Sequence, residues 1–343
     1  MRATRRKGGR KLKVSVKAAP APLRGERQSD APAASALGLI GHTPLVPLSR
    51  IERDVPGTRL LAKAEWLNPG GSVKDRAAAS IIADAEDSGR LRPGITLLDA
   101  SSGNTGVAYA MIAASKQYRL TLCIPRNANP QVLGLLRTYG AQVVLTNPLE
   151  GSDGAIREAQ RLATQEPGRF LYLDQYNNPA NWRAHYRTTA TEIWEQTGGG
   201  VTHFVAGLGT TGTFIGTTRR LKELKPGLYA VAVQPDAPLH GLEGLKYLDS
   251  ALVPGIYDAS VPDETIHIST ETAYDAVRRL AHEEGLLVGP SAGAALAASL
   301  QLAERLAAGR ATSAATIVMM FPDAGARYVN EGLFAPPDDR PHA

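Results

Sequence analysis

Lys74 sits in the run Asn68-Pro69-Gly70-Gly71-Ser72-Val73-Lys74-Asp75-Arg76. Asn-Pro-Gly-Gly reads as a turn, and Ser72 can cap a helix that begins near Val73. The exposed N–H groups of a first helical turn carry partial positive charge, so a second positive charge there is disfavoured. Repulsion of that kind lowers an ammonium pKa, which is what a Schiff-base lysine needs. Taken alone, the segment reads most often as an ordinary helix start. Two further loops meet helix starts. Asp99-Ala100-Ser101-Ser102-Gly103-Asn104-Thr105-Gly106 offers backbone N–H groups and three hydroxyls, a cradle for a carboxylate or phosphate. Gly207-Leu208-Gly209-Thr210-Thr211-Gly212-Thr213 lets the backbone approach an anion and adds threonine donors. No acidic residue ends a strand about 20 residues later, where Gln234 stands, and no Gly-Lys-Ser/Thr follows. A phosphate monoester fits this loop better than a dinucleotide does.

The elements that must carry these loops alternate. β-rich runs (59–65, 95–99, 120–124, 142–145, 170–173, 203–206, 229–234 and 316–321) are interleaved with helical patterns. The helical patterns cover 73–88, 107–115, 132–139, 183–197, 214–224, 270–284 and 294–308. Short aliphatic runs separated by helices of ten or more residues predict βαβ units with parallel sheets. Two such series predict two open α/β domains with the site in the cleft between them.

Composition narrows the class. The chain has 343 residues, 43% hydrophobic and 21% charged, enough for one large core or two domains. No stretch approaches the apolar length needed to span a bilayer. With one cysteine, Cys123, neither an intrachain disulfide nor a cysteine zinc cluster can form, and the seven histidines show no metal-ligand spacing. Cys123 lies in an apolar strand pattern and reads as inert core; Trp66, Trp182 and Trp194 read as packing residues, and Glu283-Glu284 as a solvated helix end. A cytoplasmic protein is expected. The net charge of +5 is unevenly placed: residues 1–30 hold ten Lys or Arg against Glu26 and Asp30, a net of +8 that leaves −3 for the rest. Residues 1–36 therefore read as a basic, Ala-Pro-rich disordered arm. Attraction to nucleic acid or an acidic partner, or an organelle transit peptide, are its alternative readings; no other nucleic-acid role is expected.

Together and in this order, the segments resemble the cysteine synthase family of fold-type II pyridoxal-phosphate enzymes, whose fold is tryptophan synthase β-like. The match runs from about Leu39 to Phe334. It includes Gly41-His42-Thr43-Pro44-Leu45, the lysine segment, Ser-Ser-Gly-Asn-Thr-Gly, Gly-Thr-Thr-Gly-Thr and Gly289-Pro290-Ser291-Ala292-Gly293-Ala294. The resemblance implies a smaller α/β domain over 68–178, a larger one over 37–67 plus 179–334, and a tail over 335–343. It implies pyridoxal 5′-phosphate as cofactor, with Lys74 as aldimine and Cα-proton base and Asn104 on the ring oxygen. Gly209, Thr210, Thr211, Gly212 and Thr213 would hold the phosphate, and Ser291 would face the pyridine nitrogen. Ser101, Ser102, Gly103, Asn104 and Thr105 would grip the substrate carboxylate, with Gln175 as a second contact. The implied reaction is β-replacement through an α-aminoacrylate, making cysteine from O-acetylserine or O-phosphoserine and sulfide or another sulfur donor. A homodimer and a sulfur-carrier protein are the implied partners. Gly241-Leu242-Glu243-Gly244-Leu245-Lys246-Tyr247-Leu248 matches a mobile loop over the site. Lys246 stands where the type B branch carries an arginine, keeping its charge but not its bidentate fork. Pro322-Asp323-Ala324-Gly325-Ala326-Arg327-Tyr328 keeps the family's Gly, Arg and Tyr but has alanines where a serine and an acidic residue are common. The alternatives are a cystathionine β-synthase-like replacement with homocysteine, and a non-catalytic binder tethered by the basic arm.

Overall fold

The computed structural model describes residues 35–101, 103–309, 315–331 and 333–334. Ser102, most of the basic arm and the tail from residue 335 lie outside the described residues.

In chain order the regular elements are β1 (Leu45–Pro47), β2 (Thr58–Ala64), α1 (Lys74–Asp87), β3 (Thr96–Ala100), α2 (Asn104–Lys116), β4 (Arg119–Pro125), α3 (Pro130–Thr138) and β5 (Gln142–Thr146). They continue with α4 (Gly151–Gln165), β6 (Phe170–Tyr172), α5 (Pro179–Arg187), α6 (Thr189–Gln196), β7 (His203–Gly207), α7 (Gly212–Leu224) and β8 (Tyr229–Pro235). Then come β9 (Glu264–Ile268), α8 (Thr270–Arg279), α9 (Pro290–Ala308) and β10 (Ala315–Phe321).

The strands form two sheets, ordered β1-β2-β10-β7-β8-β9 and β5-β4-β3-β6. Every pairing is parallel except β1 with β2. Parallel strands joined by helical crossovers are covered on both faces, which is why they read as unbroken apolar runs. Strands β2, β3, β4, β8 and β10 are buried along nearly their whole length. Cys123 is one of these core residues, and burial pushes its thiol up to about 12, so it behaves as a small apolar side chain.

Three expectations need correcting. Residues 183–197 are not one helix: α5 begins at Pro179, capped by Asn178, and α6 starts anew at Thr189. Thr188, at the break, turns its hydroxyl to accept a hydrogen bond from Arg76 Nη1 at 3.1 Å. The helix α4 is not among the helical patterns expected from the sequence; its first turn carries Gly151, Ser152 and Gly154, residues of low helix propensity. Glu284 is not a solvated end: its Oε1 accepts N–H bonds from Arg50 (2.7 Å) and Ile51 (2.9 Å), while Glu283 pairs with Arg279.

A buried ionic cluster fixes α1 against the six-stranded sheet. Arg76 bonds Glu65 (Nε to Oε2, 2.7 Å) and Glu192 (Nη1 to Oε1, 2.6 Å), and Lys63 reaches Glu192 at 2.7 Å. Two cations meet two anions, so the charge closes. Burial alone would push the Glu192 carboxyl up, but Arg76 and Lys63 hold it down at about 2.

Candidate active site

Four helix starts converge at the carboxyl ends of the parallel strands, where open α/β folds bind ligands. Helix α1 begins at Lys74 itself, and the Ser72 hydroxyl accepts its N–H at 3.3 Å. The amine makes no side-chain hydrogen bond with another described residue. Its pKa is lowered chiefly by burial, with the Asp323 carboxylate pulling the other way. Burial is thus a cause of the lowered pKa beside the helix-end repulsion expected from the sequence.

Lys74, Asn104 and Ser291 line one narrow crevice together with Gly209, Thr210, Thr211 and Thr213. Ser291 is buried at the start of α9, one residue after Pro290. Gly212 opens α7 and is packed so closely that a Cβ would run into the Asn181 side-chain oxygen. A Cβ on Gly209 would meet the carbonyl oxygen of Gly244. Thr211 holds φ +70°, a left-handed conformation that a β-branched residue adopts only under constraint. Its Oγ1 is buried with no hydrogen-bond partner among the described residues. Thr213 Oγ1 lies 3.3 Å from His185 Nε2, and burial depresses that imidazole to about 3, so it is neutral.

The crevice opens into a cavity of about 290 Å³. Ser101, Gly103, Asn104 and Thr105 form one wall. Ser101 Oγ accepts the Gly106 N–H at 2.9 Å, which shapes the loop into a helix start with free N–H groups. Gln175 also faces the cavity, and its Nε2 donates to the Ala100 carbonyl at 2.7 Å, bracing that wall. Lys246 also lines the cavity. Its Nζ lies 3.2 Å from Asp153 Oδ1 on α4 and 5.0 Å from the centre of the Tyr176 ring. The 241–248 loop is anchored at both ends: Gly241 N–H donates to Thr270 Oγ1 (2.9 Å) and Leu248 N–H to Gln234 Oε1 (3.1 Å).

The structure therefore brings the described residues of the expected site to this crevice and cavity, except Gly212, which opens α7 beside the loop without lining either. Four participants were not assigned roles in the sequence: Asp153, Tyr176, Tyr328 and Asp323. The first lies on helix α4. The last two stand in the run 322–328, where a carboxyl just after a buried strand is the signal the sequence offers.

Residues 36–323 match the family described as pyridoxal-phosphate dependent enzymes. Among curated relatives, a cysteine synthase of Aquifex aeolicus is 46% identical over 304 residues, covering 88% of this chain and 92% of the relative. Cysteine synthase B of Salmonella typhimurium is 43% identical over 295 residues, covering 86% and 94% respectively. Among solved structures, a cysteine synthase of Entamoeba histolytica superposes with a TM-score of 0.85 at 34% identity, covering 93% of this chain and 96% of that one. A family match across most of the chain, relatives above 40% identity over nearly their full length, and the same parallel-sheet architecture agree: the chain belongs to the cysteine synthases of the fold-type II pyridoxal-phosphate enzymes.

Proposed function

We propose that the crevice holds pyridoxal 5′-phosphate and that the adjoining cavity takes an activated serine, from which the enzyme forms cysteine with a sulfur donor. The observation that carries this reading is the convergence of Lys74, Asn104, Ser291 and the 209–213 loop, from four distant segments, on one crevice. The residues fit the cofactor chemically. A buried, unpartnered Thr211 hydroxyl and glycines with no room for a Cβ surround the N-terminus of a 13-residue helix, a cradle for a phosphate dianion. The Lys74 amine, of lowered pKa, lines the same crevice and is suited to a carbonyl partner.

When bound, the cofactor supplies an electron-withdrawing ring that makes the substrate Cα–H acidic and lets a β-substituent leave. Burial lowers the Lys74 pKa and so favours the free amine, the form that takes the Cα proton and holds it while the leaving group departs. The Ser101–Thr105 loop, Ser102 included, receives the substrate carboxylate on the free N–H groups of α2, and Gln175 braces that loop. Ser291 would offer the pyridine nitrogen a hydroxyl, which could not hold it protonated as a carboxylate would. The weaker electron sink favours β-replacement over transamination.

Lys246 keeps the charge of the type B arginine, and that charge beside the cavity suits a phosphorylated serine as well as an acetylated one. The same reading includes a cytoplasmic homodimer, with sulfide or a sulfur-carrier protein as donor. Among the described residues no helix is long and apolar enough to cross a membrane.

The test is cysteine formation from O-acetylserine or O-phosphoserine plus sulfide by the cofactor-loaded enzyme. Turnover is expected for the parent and none for Lys74→Ala. Full activity in Lys74→Ala would overturn the assignment.

A further inference from the structure

Asp323 has no part in the reading above, yet it sits at the junction of the crevice. It follows β10 and Pro322 and is 1% exposed. Its Oδ2 accepts two hydrogen bonds, from Asn104 Nδ2 and from the Tyr328 hydroxyl, each at 2.6 Å. Its Oδ1 is buried with no partner among the described residues. Leaving a carboxylate oxygen dry and unpaired is costly, so this residue is poorly explained as packing.

The backbone around it is equally committed. Pro322 O accepts the Val73 N–H at 2.8 Å, Asp323 bridges to Ser72, and Asp323 O accepts the Gly289 N–H at 3.2 Å. Those partners lie directly before Lys74 on α1 and Ser291 on α9. Gly289 has no room for a Cβ, which would collide with the Asp323 carboxylate. One residue thus touches the segments that present Lys74, Asn104 and Ser291.

We propose that Asp323 is a positioning residue, which orients the Asn104 amide toward the cofactor ring and ties the starts of α1 and α9 to it. The inference rests on the cofactor assignment above. Asp323 Oδ2 stands as acceptor to both Asn104 Nδ2 and the Tyr328 hydroxyl, so it holds the NH₂ edge of Asn104 on its own side. The second hydrogen of that NH₂ is then left for an acceptor in the crevice. A neutral or absent partner would let the amide turn over. The charges facing Asp323 are Lys74 and Arg327: burial raises its carboxyl pKa, while the bonds from Tyr328 and Asn104 and those two cations oppose the rise.

The experiment compares holoenzymes of the parent, Asp323→Ala, Asp323→Asn, Tyr328→Phe, Asn104→Ala and the double variants with Asn104→Ala. The readouts are the visible absorption and circular dichroism of bound cofactor, its equilibrium affinity, and kcat and KM. Asp323→Ala and Asp323→Asn are expected to shift the cofactor bands and to lower kcat at least about tenfold with KM within about threefold. In the Asn104→Ala background the further loss should vanish, because both residues act through one amide. Tyr328→Phe, which keeps the Asp323–Asn104 bond, should lose about threefold in kcat, and this too should vanish with Asn104→Ala. Parent-like cofactor bands and affinity in the Asp323 variants would overturn the proposal, as would losses that add to that of Asn104→Ala. Should the Asp323 variants fail to fold, the Tyr328→Phe/Asn104→Ala pair decides it by the same criterion of additivity. A parent enzyme without a cofactor band would defeat the cofactor assignment itself, and this proposal with it.

Discussion

The crevice and the mouth of the cavity are built by different means. The crevice is shaped by backbone: Gly209 and Gly212 stand where no Cβ fits, Thr211 is held left-handed, and the reacting groups sit at helix starts. The mouth is shaped by side chains from distant segments, with Lys246 meeting Asp153 and Tyr176, and Gln175 meeting Ala100. Backbone walls tolerate little change and fix one ligand. Side-chain walls can be altered piecemeal, so substrate choice belongs to the mouth.

If that contrast holds, changes in the crevice should cost most. Ser291→Asp would place a carboxylate against the cofactor nitrogen and is expected to slow β-replacement by about two orders of magnitude, roughly 2.7 kcal/mol, with an altered visible spectrum under substrate. Unchanged steady-state rates would contradict the electron-sink argument. Next, Gly209→Ala should weaken cofactor retention about tenfold or more, since its methyl group must displace the Gly244 carbonyl and overpacking costs about 1–3 kcal/mol. Equilibrium titration of the cofactor measures this directly.

The mouth should respond more weakly and selectively. Lys246→Ala is expected to lower kcat/KM for O-phosphoserine at least about tenfold, with a smaller loss for O-acetylserine. Asp153→Asn should do the opposite for the phosphate ester by releasing the Lys246 charge. Equal losses on both substrates in Lys246→Ala would mean that the lysine serves only to anchor the loop to α4, and would favour the acetyl ester.

The smallest catalytic effect should come from the ionic cluster behind α1. Glu192→Gln is expected to leave kcat within about threefold of the parent, because no cluster member faces the cavity. Its signature is acid stability. The Glu192 carboxyl is held below its ordinary 4.5, at about 2, so the stabilisation is complete above pH 4.5 and is lost as pH falls toward about 2. Thermal unfolding midpoints measured across that window should fall steeply for the parent and less for Glu192→Gln.

The same contrast explains what the sequence could reveal. The loops at 101–106 and 207–213 were legible because a backbone cradle demands glycines and hydroxyls in one contiguous run. The central strands were legible because burial on both faces leaves only apolar residues. Strands β1 and β9 were missed: β1 has three residues, and β9 is only partly buried, with Glu264 and His267 inside a short run. Asp153 and Lys246 are 93 positions apart, and Asn104 and Asp323 are 219 apart. No local pattern joins such pairs; only the fold does.

The central claim is that Lys74 is the residue that engages the cofactor. Borohydride reduction of the loaded enzyme followed by peptide mass mapping tests it without relying on turnover. The account predicts the cofactor mass on the peptide that contains Lys74 and on no other. Attachment at Lys63, Lys246 or any other lysine, or no attachment at all, would contradict it.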